Sequence, residues 1–138
     1  MKLKPSILFG LIFISSSVSA GEIPKRLGQC VKTRILEIGP RLGWMGPEKK
    51  APRLQHYNQG DYDSGIFVSY ENGLGGVSYE VVPAVLNSRA GDKIILCLTS
   101  IPTNCPPGDD RGKEYSAVNL RTNQGWVLGD SQHMCGGA

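Results

Sequence analysis

Apolar and polar residues alternate with a period of two along most of the ordered-looking stretches of this chain, and the alternation defines its elements. In residues 29–38, Val31, Thr33 and Ile35 alternate with Lys32 and Arg34, which predicts a strand with one buried and one wet face. The phase then slips, with Leu36 and Ile38 flanking Glu37, so a bulge or a change of packing partner is expected near Ile35. Ile66, Val68 and Tyr70 alternate with Phe67 and Ser69, and Val77, Tyr79 and Val81 alternate with Ser78 and Glu80. The connection 71–76 contains Asn72-Gly73, a pair that readily takes positive φ, so these two runs read as a β-hairpin. Pro83 ends that hairpin or opens a single helical turn over residues 84–88, because proline is well suited to a first helical position. Residues 93–99 (K-I-I-L-C-L-T) are apolar on both faces and read as a central strand covered on each side. A last hairpin pairs 114–120 with 126–128 across a turn at 121–125.

The intervening stretch 39–64 has no such pattern. Pro40, Pro47 and Pro52 and several glycines break any continuous element, and long irregular segments inside a domain are functional or mobile loops. It carries Trp44, Tyr57 and Tyr62 beside Arg41, Lys49, Lys50 and Arg53, residue types that dominate binding hot spots. Taken together, about six strands, little helix and no internal repeat predict an all-β fold. The expected form is a small antiparallel barrel or sandwich of the oligonucleotide/oligosaccharide-binding or SH3-like kind.

The first twenty residues stand apart from this pattern. Lys2 and Lys4 precede an apolar core at 7–14, and Val18-Ser19-Ala20 supplies small residues before a cut at Gly21, so residues 1–20 read as a signal peptide. The apolar run is too short for a membrane span of about 20 residues, so no membrane insertion is expected once it is removed. Residues 21–138 are then a single exported β domain, periplasmic or secreted. Loss of Lys2 and Lys4 lowers the basic count from 15 to 13 against 12 acids, a formal charge of about +1. That charge and the absence of a basic patch argue against a nucleic-acid partner.

Cys30, Cys97, Cys105 and Cys135 form an even set in an exported chain, which favours two disulfides. No C-x-x-C pair supports zinc, and neither a metal nor a cofactor is expected. Three pairings are open; Cys97–Cys105 as a local loop with Cys30–Cys135 closing the domain is the one preferred. The second of these would stabilise the fold by roughly 4–5 kcal/mol in the chain-entropy description.

The densest cluster of chemistry is Asp109-Asp110-Arg111, between Pro106-Pro107-Gly108 and Gly112. Adjacent carboxylates in a turn are poorly spaced for calcium and poorly aimed as an acid–base pair. Aspartate in a turn caps backbone N–H groups, and Arg111 can pair with a carboxylate and fasten the loop. Asp130, Ser131 and His133 lie close in sequence, but a triad is assembled from separate segments, and no G-x-S-x-G occurs.

The run C-P-P-G-D-D-R-G-K-E-Y at 105–115, N-L-R-T at 119–122, Trp126 and D-S-Q-H-M-C-G-G-A at 130–138 resemble a family of uncharacterised small exported bacterial proteins. The resemblance runs from near Cys30 over most of the domain, with 39–64 as its variable part. It implies export and one compact domain, and brings no activity or site residue. The reading is therefore an exported, non-catalytic binding or interaction domain that binds or inhibits another envelope or secreted protein. Its binding residues are Asp109, Asp110, Arg111, Trp44 and Tyr57, and no catalytic residue is assigned. The alternative is a small envelope hydrolase using Asp109 or Asp110 with His133.

Overall fold

A computed structural model describes residues 21–43 and 59–137 of the chain. The signal-peptide reading of 1–20, together with Trp44 and Tyr57, lies outside the described residues. The elements run β1 (Cys30–Pro40), β2 (Ile66–Tyr70), β3 (Gly75–Ser78), a helical turn α1 (Pro83–Leu86), β4 (Lys93–Ser100), β5 (Glu114–Asn119) and β6 (Gln124–Gly129). All pairings are antiparallel, and the strands close into a barrel in the order β1-β2-β3-β6-β5-β4. Two three-stranded meanders, β1–β3 and β4–β6, are thus joined where β1 meets β4 and β3 meets β6. Closure leaves no sheet edge open along the whole length of a strand, which is how small β folds limit edge-to-edge association.

β1 holds the ring together because it serves two partners in succession. Cys30 to Arg34 pair with β4, and Ile35 to Pro40 pair with β2. The change of partner falls at a register shift between Ile35 and Glu37, where the sequence pattern slips phase. Leu36 is turned out at the shift and is exposed, so that Ile38 can pack against the core. Inward residues of the strands fill the barrel: Val31 and Ile35, Ile66 and Val68, Ile94, Leu96 and Leu98, Ala117, and Leu128. Each fully buried Ile or Leu contributes about 1.5–3 kcal/mol. Trp126 and Tyr70 share the same interior, with the indole Nε1 donating to the phenol oxygen at 3.0 Å.

Three expectations change in detail. β3 stops at Ser78, so Tyr79 and Val81 are exposed rather than inward. The Ser78 hydroxyl accepts the Glu80 N–H and so competes with the sheet ladder, turning the chain away. β4 is covered on one face only, with Ile94, Leu96 and Leu98 buried but Ile95 and Cys97 half-buried and Thr99 exposed, since a closed barrel has a single interior. The preferred cysteine pairing is also wrong: the disulfides are Cys30–Cys97 and Cys105–Cys135. Ring closure sets Cys30 directly opposite Cys97 on β4, which leaves Cys105 and Cys135 for each other.

Candidate functional site

One rim of the barrel can be traced by register alone. Pro40 lies beside Ile66, Ile66 beside Ser78, Val77 beside Gly129, Gly129 beside Glu114, and Glu114 beside Ser100. Every chain segment that leaves or enters here therefore emerges on the same side. These are residues 41–43 and 59–65 at the two ends of the connection between β1 and β2, the exit from β3 at Tyr79, the connection 101–113 and the tail 130–137. The 101–113 connection and the described ends of the 41–65 connection thus share one surface.

The tail is the hub of that surface. Asp130 opens it: its backbone N–H donates to Lys113 O (2.9 Å), and its Oδ1 accepts the Gly112 N–H (2.8 Å). Cys135 donates its N–H to Arg111 O and is bonded through sulfur to Cys105, with the two Cα atoms 5.3 Å apart. The Asp109 carboxylate accepts Arg111 Nε and Nη2, both at 2.8 Å, and the Gly136 N–H at 2.9 Å. Arg111 Nη2 also donates to Gly137 O at 3.2 Å. The Arg111 guanidinium, and after it the Gly136 N–H, hold the Asp109 carboxyl well below the usual carboxylate range. The same pairing raises Arg111. These two residues fasten loop to tail, as aspartate in a turn with a forked guanidinium should.

On its other side the tail meets the start of the 41–65 connection. Arg41 Nη1 donates to Gln132 Oε1 at 2.9 Å, and Arg41 Nε donates to Ser64 O. The Arg41 guanidinium carbon lies 4.2 Å from the centre of the Tyr79 ring, a cation–π contact. Tyr79 closes the set by donating its hydroxyl to Gln132 O at 2.9 Å. Arg41, Tyr79 and Gln132 thus weld three separate connections; the sequence marks Arg41 among the contact-type residues of 39–64, but neither Tyr79 nor Gln132 as a site residue. Tyr79 looked like an inward strand residue, and Gln132 was hidden inside the Ser–His–Asp coincidence. The signal available was Arg41 at the end of β1.

The remaining sequence candidates divide. Asp110 is displayed, with its side chain 90% exposed, and is paired with Lys113 Nζ at 3.2 Å. His133 is exposed, and among the described residues its imidazole makes no hydrogen bond to Asp109 or Asp110. Tyr115 is buried beneath the rim; burial, with the nearby Asp130 and Asp110 charges, pushes its phenol up. Among the described residues, no group of three or more His, Cys, Asp or Glu side chains could hold a metal ion. No helix among them is long and apolar enough to cross a membrane.

The fold and this rim define a small closed β-barrel domain with a cystine-stapled loop surface. Compared with protein-family models, curated proteins and solved structures, the chain matches none.

Proposed function

We propose that this protein is an exported, non-catalytic binding domain whose contact surface is the loop-bearing rim. Its partner is another envelope or secreted protein, which it binds or inhibits. The observation that carries the reading is the tail acting as hub: Cys135 and Gly136 tie it to the 101–113 connection, and Gln132 ties it to Arg41 at the start of the 41–65 connection. Rigid scaffolds that present fixed loops are a common binding arrangement, because little ordering entropy remains to be lost on association. Exposed on that surface are Tyr79, Met134 and the Asp110 carboxylate, a mixture of aromatic, soft apolar and charged groups suited to protein contacts. Two disulfides fit an oxidising compartment, in keeping with export. Trp44 and Tyr57, carried by the chain between Gly43 and Gln59, belong to the same proposal.

The test is affinity capture from an envelope extract with the mature chain as bait, compared with a Tyr79→Ala/Asp110→Lys variant and a Trp44→Ala/Tyr57→Ala variant. A protein captured by the parent chain and lost with either variant, at unchanged melting temperature, supports the reading. Equal capture by the parent and both variants refutes it.

A further inference from the structure

The two disulfides are built differently, and the difference lies in the backbone that each one joins. Cys105–Cys135 links a loop to the tail with its Cα atoms 5.3 Å apart, inside the common span of roughly 4.4–6.8 Å. Cys30–Cys97 links two directly opposed residues of adjacent strands, and its Cα atoms are only 4.0 Å apart. That is shorter than the common disulfide span, and also shorter than the roughly 4.5 Å at which closely opposed residues of an antiparallel pair sit unaided. The ladder continues on both sides: Leu98 N–H donates to Gln29 O and Gly28 N–H to Leu98 O, while Val31 to Arg34 pair with Leu96 to Lys93. The sheet therefore holds β1 against β4 without the covalent bond. Cys30 is exposed on the outer face of the barrel, and Cys97 is half-buried beside it.

We infer that Cys30–Cys97 is an exchangeable disulfide, opened and closed by a dithiol oxidoreductase that attacks Cys30, whereas Cys105–Cys135 is a permanent staple. A disulfide that is exposed and held outside its ordinary span is the more reducible kind. In the exchange, a thiolate of the dithiol protein bonds to Cys30 Sγ and Cys97 leaves as a thiolate that takes up a proton. The second thiol of the dithiol protein then attacks its partner's sulfur in the mixed disulfide and releases Cys30 as a thiol. Two electrons pass to the barrel, and the dithiol becomes a disulfide. Opening removes the only disulfide between the stretch leading into β1 and the body of the barrel, and leaves the rim stapled. The inference does not rest on the binding reading, because neither cysteine belongs to the tail hub.

The experiment uses the folded protein with both disulfides formed and a reduced C-x-x-C thiol oxidoreductase at neutral pH. Thiols are trapped by acid quench and alkylation, then located by peptide mapping. Cys30 and Cys97 should be labelled together, at least about tenfold faster than Cys105 and Cys135, with far-UV circular dichroism unchanged. A C-x-x-S form of the oxidoreductase should accumulate as a mixed disulfide on Cys30. Comparable or inverted rates, labelling that tracks loss of the β signal, a mixed disulfide on another cysteine, or no opening of Cys30–Cys97 would each overturn the inference.

Discussion

Arg121 meets Asp92 side-on, with Nε donating to one carboxylate oxygen at 2.7 Å and Nη2 to the other at 2.8 Å. The Asp92 side chain is 5% exposed, and its carboxylate also accepts the Arg89 N–H and Asn119 Nδ2. Asn119 in turn donates to Ser88 Oγ and accepts the Arg121 N–H. The turn before β4 is thus bolted to the turn between β5 and β6, at the end of the barrel away from the loop-bearing rim. A buried carboxylate is tolerated here because both of its oxygens accept hydrogen bonds, one of them three.

Replacing Asp92 by Asn should lower stability by about 2–3 kcal/mol at neutral pH, toward the small end for a broken buried pair because Arg121 keeps part of its hydration. The Arg121 guanidinium holds the Asp92 carboxyl well below the usual range, with Asn119 and the Arg89 N–H adding to it against the opposing effect of burial. A depressed carboxyl stabilises the fold fully above its unfolded value of about 3.9 and loses that contribution as pH falls below it. Urea midpoints of the parent should therefore drop between about pH 4 and pH 2 more steeply than those of Asp92→Asn. Parallel acid limbs for the two proteins would contradict this.

Tyr70→Phe removes the acceptor of the buried Trp126 N–H and should cost about 1–3 kcal/mol in chemical denaturation. Burial pushes the Tyr70 phenol far above its ordinary value, and the bond from Trp126 only partly offsets this. The neutral phenol thus stabilises the fold below its unfolded value of about 10, and that contribution fades as pH rises beyond it. Phenolate absorbance from Tyr70, read as the difference between parent and variant, should appear only with unfolding.

The Cys105→Ser/Cys135→Ser variant should remain a closed barrel, since no strand contains either residue. Its loss is expected to be about 3–4 kcal/mol for a cross-link of this sequence separation. Hydrogen exchange should rise first in residues 105–113 and 130–137 and leave β1 and β4 protected. Uniform loss of protection would mean that the staple holds the barrel as well as the rim.

Gly65→Ala tests the geometry of the rim itself. Gly65 has φ +103°, and a methyl group there would sit 2.1 Å from Ser78 O, a backbone atom that cannot move aside. A loss of about 3 kcal/mol or more is expected, seen as a lowered melting temperature. A mild effect would mean that β2 can begin without this close approach to the end of β3.

Much of the local structure was legible in the residue pattern. The bulge at Ile35, the Asn72-Gly73 hairpin, the proline-led turn at Pro83 and the final hairpin all follow from side-chain alternation and turn chemistry, which act over a few residues. Asp109 and Arg111 were also readable, because a carboxylate two residues before an arginine in a Gly- and Pro-bounded turn has few other partners. Tyr79 was misplaced because alternation does not reveal that the Ser78 hydroxyl diverts the chain.

By itself, then, the sequence determined which stretches become strands, where they turn and that four cysteines are available to staple an all-β domain. Only the tertiary structure decided which strands are neighbours outside the two predicted hairpins. Closing the ring brings β1 beside β4 and so selects Cys30–Cys97, joins Asp92 to Arg121 across separate turns, and gathers Arg41, Tyr79 and Gln132 around the tail. The physical reason is that alternation records only whether a side chain faces inward. The choice of strand partner depends on the burial of many residues at once, and no single stretch of chain carries it.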